Sequence, residues 1–170
     1  MNFRDLLEQD HSKKITSAIV KEILSHPKKM DELMAIFLKE EPVLAQRSAW
    51  PLSFVIERNP NLISNYYPSL IKLLHQPNKH NAINRNILRA LQYVKIPTKH
   101  EGVLLGICFK LMLSSKEPIA VKVFCMTIIF NLSKKYPEIK DELKNSIETL
   151  LPDGSAGIKS RGQKILNQLS

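Results

Sequence analysis

The chain has 170 residues, 44% hydrophobic and 24% charged, a balance that supports a packed core and excludes disorder throughout. Twenty-five Lys and Arg against sixteen Asp and Glu leave a net charge of +9 at pH 7, which points to an acidic partner: nucleic acid, an anionic membrane surface or an acidic protein. Ten prolines against five glycines suit frequent helix starts better than tight strand turns.

The opening MNFRDLLEQDHSKK has three acidic residues and no apolar run, unlike a secretory signal or an Arg-rich transit peptide. Ile15, Ile19 and Ile23, with Val20 and Leu24, then form one face of a helix that Ser12 can cap and Pro27 ends. Met30, Leu33, Met34, Phe37 and Leu38 follow the amphipathic template i, i+3, i+4, i+7, i+8. Pro42 suits a helix first turn, and that helix is expected to reach Arg58 with a bend at Pro51. Further helical patterns cover roughly 61–75, 79–95, 99–114, 117–135, 138–151 and 156–169, with prolines at their junctions. The most apolar stretch, Pro118 to Leu132, is 15 residues long and contains Lys122. Since about 20 are needed to span a bilayer, it is expected to be a buried helix. No segment alternates with period two for long enough to make a strand, so the expected class is all-α. Cys108 and Cys125 stand in apolar surroundings and read as buried small hydrophobes in a reducing, cytoplasmic setting, pairing only by accident of geometry.

The helices repeat. LAQRSAWPLSFV from Leu44, AINRNILRALQYV from Ala82, IAVKVFCMTIIFNL from Ile119 and IKSRGQKILNQL from Ile158 place a basic residue in the same register. These are Arg47, Arg85, Lys122 and Arg161, at intervals of 38, 37 and 39 residues. Each segment follows another amphipathic helix, giving a two-helix unit repeated four times behind an extra helix that can cap the open end. The second helices resemble HEAT repeats, whose second helix opens with an apolar and then a basic residue before an Ala/Leu-rich stripe. Ala90 and Leu91 after Arg85, and Ala49 and Leu52 after Arg47, carry the likeness over about 28–170. The spacing is slightly short for the family. The turn Asp common there is found only as Asp153, with Asn78 and Lys116 in two of the other turns.

The resemblance, to HEAT-like repeats of the armadillo type, implies a right-handed α-α superhelix of about four helix pairs, with its second helices on the concave side. One domain is expected over 1–170: a capping helix over 1–27 and repeats near 28–59, 60–96, 97–136 and 137–170. It carries no chemistry, because such repeats are mostly scaffolds and binding surfaces. The last helix, with Gly154, Gly157 and Gly162 at that end, is expected to fray most easily.

The charge is segregated. Residues 1–59 hold nine basic and nine acidic side chains, residues 60–135 eleven and two, and residues 136–170 five of each. Between Arg58 and His100 there is no acidic residue. On the helix over 79–95 the stripe opposite the core is Asn81, Arg85, Arg89 and Gln92, in which two arginines a turn apart can grip phosphates or carboxylates through forked hydrogen bonds. Stacking adds Arg47 on one side and Lys122 on the other, and Trp50, a turn after Arg47, offers a stacking platform. Each has a plainer reading. Arg47 and Arg161 suit pairing with a turn acid or a helix C-terminal carbonyl of the neighbouring unit. Trp50 before a kinking proline suits the core. Lys72, Lys79, Lys95, Lys99 and Lys110 suit solvated surface.

Catalytic signals are sparse. His75, His80 and His100 lack metal-site spacing and read as surface histidines. There is no Gly-rich phosphate loop and no nucleophile elbow. Glu40–Glu41 and Asp141–Glu142 read as solvated faces, and Tyr66–Tyr67 as packing with one exposed hydroxyl. Some HEAT-like stacks are DNA glycosylases, but these concave helices offer no acidic residue in a Trp-rich cleft, and that activity is a remote alternative. The expectation is a non-catalytic cytoplasmic protein without cofactor or metal, a monomer by default, binding a protein partner with an acidic surface through a basic concave face. DNA or RNA bound in the same groove is the alternative.

Overall fold

A computed structural model describes residues 1–39, 41–77 and 79–170. The pairing of Glu40 with Glu41 and the turn residue Asn78 therefore lie partly or wholly outside the described residues. Among them the structure is all-α, with ten α-helices and no strand. They gather into two compact units, Met1–Lys95 and Ile96–Ser170.

The first unit holds α1 (Phe3–Gln9), α2 (Lys13–Ser25), α3 (Met30–Leu38), α4 (Pro42–Arg58), α5 (Tyr67–His75) and α6 (Asn81–Leu91). Where one helix was expected over 1–27, there are two. Asp10 takes an extended conformation, its Oδ1 accepts the His11 amide at 2.7 Å, and Ser12 Oγ accepts the Ile15 amide to start α2. A seven-residue helix does not persist alone. α1 is held by Phe3 and Leu7, both buried, and by Glu32 of α3, whose carboxylate accepts the Phe3 amide at 2.7 Å. α2 packs on α4 and α4 on α6, while α3 lies against α4. α4 runs through Pro51; Ser48 and Ser53 on either side donate to the Ala45 and Trp50 carbonyls.

The helix expected over 61–75 begins instead as a 3₁₀ stretch, Pro60–Tyr66, and becomes α-helical only at Tyr67. Pro68 falls in the first turn of α5, where its missing N–H leaves no intrahelical bond unmade. Neither tyrosine keeps a free hydroxyl. Tyr66 donates to Asp31 and Tyr67 to the Lys95 carbonyl at 3.0 Å. α6 is shorter than the expected 79–95. It starts where His80 Nδ1 accepts the Ala82 amide at 3.1 Å, and Lys79 ahead of it turns its ammonium onto the Leu74 carbonyl.

The second unit holds α7 (Thr98–Leu113), α8 (Ile119–Ser133), α9 (Lys140–Leu150) and α10 (Ala156–Leu169). α8 packs against the other three, which explains why it is apolar nearly all round. The buried carboxylate of Glu101 in the first turn of α7 accepts from Lys135 at 2.7 Å and Tyr136 at 2.5 Å, tying α7 to the end of α8. Cys108 and Cys125 are both fully buried and unbridged. The neighbouring Cys125 thiol and burial together push the Cys108 thiol up. Gly162 lies where α10 meets α9: a Cβ there would stand 2.9 Å from Ile147 Cγ2 and 3.1 Å from Leu151 Cδ2.

Candidate partner-binding surface

The α-helical period splits α4 into two faces. Leu44, Ala45, Ala49, Leu52, Val55 and Ile56 go inward. Trp50 and Phe54, one turn apart, remain half-buried at the edge, with Arg58 a turn further on and exposed. The Trp50 and Phe54 ring centres are 6.2 Å apart, and His11 meets Trp50 edge-on at 5.5 Å. Trp50, expected in the core or as a stacking platform at the groove's edge, is thus half-buried.

Phe54 is flanked by arginines. The Arg89 guanidinium from α6 sits 4.2 Å from its ring centre and that of Arg58 5.8 Å away. Stacking of this kind holds the planar fork in place and leaves its N–H donors at the rim. One of them reaches Glu57 at 3.3 Å, a pair with side chains 27% and 34% exposed. So wet a pair contributes little to stability, and its effect is to orient Arg89. Beside Arg58, a groove of about 400 Å³ is lined by Ser17, Val20, Lys21, Leu24 and Ser25 of α2. On the far side, Arg85 precedes Arg89 by one turn. It is exposed and makes no hydrogen bond or ion pair among the described residues.

The other residues singled out from the sequence go elsewhere. Arg47 does not join this group: its Nη1 donates to the carbonyls of Leu7 at 2.6 Å and Glu8 at 3.0 Å, closing the C-terminal end of α1. That is favourable placement for a cation. Asn81 is exposed at the first turn of α6, and the Gln92 amide donates to the Arg89 carbonyl at 3.1 Å. In the second unit Lys122 is half-buried on α8, and Arg161 of α10 donates to Thr127 of α8. The sequence reading missed Phe54, Arg58 and Lys21. The first two were accessible to it, since they continue the Trp50 stripe at i+4 and i+8. Lys21 was not, because its neighbourhood is made by a different helix.

A further concavity of about 400 Å³ in the first unit has largely apolar walls, including Phe37, Leu38, Leu73 and Ile83. Among the described residues no group of three or more His, Cys, Asp or Glu side chains is arranged to hold a metal ion. None of the described helices is long and apolar enough to cross a membrane.

Stacked helices with a cationic, aromatic face define an α-helical repeat protein. The sequence profile of the HEAT repeat domain matches residues 3–169, and the chain belongs to that family. HEAT repeats generally serve as protein-interaction scaffolds and are typically non-catalytic. No curated protein and no solved structure gives a match.

Proposed function

We propose that this chain is a non-catalytic binding protein that engages an acidic protein partner through the face of α4 and α6 in its first unit. The observation that carries the reading is Arg85: an exposed guanidinium without a counter-charge among the described residues, one turn from Arg89, in a stretch from Arg58 to His100 that contains no acidic residue. Arg58 and Lys21 extend the positive field over two neighbouring helices. Lys122 is a separate candidate contact on the second unit.

The test is binding to immobilised polyglutamate at low salt, comparing the native chain with Arg85→Glu/Arg89→Glu and with Lys122→Glu. The double variant is expected to lose retention. Equal retention would remove α6 from the site, and no retention of the native chain would end the reading. A nucleic-acid partner is favoured by the same acid-free stretch. It would show as an affinity falling steeply with salt, in proportion to the phosphates neutralised.

A further inference from the structure

Resting on that reading, we infer that the partner element is an acidic peptide segment with a large apolar or aromatic residue at its centre, seated over Trp50 and Phe54 with carboxylates on both sides. The floor of the surface is aromatic and only half-buried. Its cations stand on two sides, Lys21 and Arg58 toward α2, Arg89 and Arg85 along α6. Tryptophan and arginine around a partly dry centre are the residue types that dominate protein interfaces, and carboxylates meet arginine forks in two-point hydrogen bonds.

One feature disfavours a phosphodiester strand here. Glu57 holds a carboxylate in the middle of the patch, paired with Arg89 at 3.3 Å. A peptide can set its neutral residue beside Glu57, whereas a strand with a charge on every nucleotide must bring phosphate toward it.

Trp50 is the chain's single tryptophan, so its emission reports on this surface alone. Three probes are titrated into the full chain: a short Asp/Glu peptide with phenylalanine at its centre, the same peptide with serine there, and an oligo-deoxythymidylate. The phenylalanine peptide is expected to shift Trp50 emission and to bind about tenfold tighter than the serine peptide, as loss of a central anchor implies. Arg58→Glu and Arg85→Glu, both at exposed positions, are each expected to weaken it by about tenfold, with unchanged helical circular dichroism as the folding control. Equal binding of the two peptides would overturn the central anchor while leaving an acidic partner on this face intact. Tighter binding of the oligonucleotide would overturn the peptide assignment. Failure of every probe to bind would overturn this inference and the proposed function together.

Discussion

Gly162→Ala and Gly106→Ala are the same chemical change on two helices of the second unit, and the structure gives them opposite expected outcomes. In a helix interior, alanine is favoured over glycine by about 1 kcal/mol. At Gly106, nothing lies within 4 Å of the position a Cβ would take, so the full gain is expected. At Gly162 the new methyl would stand 2.9 Å from Ile147 Cγ2 and 3.1 Å from Leu151 Cδ2, well inside the ~3.5–4.0 Å optimum for carbon pairs. Ile147 is fully buried and has no open space to retreat into. Relieving the clash requires α9 to move away from α10 or Ile147 to leave its rotamer, at a cost of about 1–3 kcal/mol for overpacking. The propensity gain offsets part of it, leaving Gly162→Ala about 0–2 kcal/mol less stable than the native chain. Urea unfolding followed by circular dichroism reads the difference. If Gly162→Ala proved as stable as Gly106→Ala, the close approach of α10 to α9 would be refuted.

Arg47→Ala is expected to cost about 1.5–3 kcal/mol, the range for hydrogen bonds to a charged group, and to expose 3–9 to protease before the rest of its unit opens. Limited proteolysis with mapped cleavage sites checks this. Glu32 sits below the usual carboxylate range; burial pushes its pKa up, but the Phe3 amide and the Lys29 ammonium outweigh it. Its contribution is therefore present above about pH 4.3 and lost as pH falls through its lower folded value. The stability gap between native chain and Glu32→Gln should close on acidification, and a gap unchanged from neutral pH to pH 3 would contradict it. Burial and Asp31 push the Tyr66 phenol up to about 12. Its contribution is present below about pH 10 and lost as pH rises toward 12. Alkaline absorbance titration should lose a late-ionising tyrosine in Tyr66→Phe. Ser12→Ala is expected to cost about 1 kcal/mol as a lost N-cap, measured in the same unfolding assay.

Most helix boundaries were legible because the signals behind them are local. Ser12 caps α2, and Pro42 opens a helix that ends at Arg58. α1 was not legible. Its two buried apolar residues are too few for a periodic signal, and its partners are 29 and 40 residues away, at Glu32 and Arg47. The 3₁₀ stretch before α5 was not legible, since a proline inside a helical pattern is compatible with a continuous helix, as Pro51 in α4 shows.

The binding surface was half legible. Charge segregation and the Arg85–Arg89 stripe can be counted along the chain, and the Trp50–Phe54–Arg58 stripe follows from helical period. That Arg89 covers Phe54, or that Lys21 joins Arg58, depends on which helices become neighbours.

By itself the sequence determined an all-α repeat, its family and the register that puts Arg47, Arg85, Lys122 and Arg161 at equivalent positions, because hydrophobic period and capping act over a few residues. Tertiary structure decided what each cation does. Arg47 meets the open carbonyl end of α1, Arg161 meets Thr127, and Arg85 is left to solvent. The physical reason is that a guanidinium bonds to whatever acceptor lies within a few ångströms across the next helix, and no periodicity along one helix specifies that neighbour.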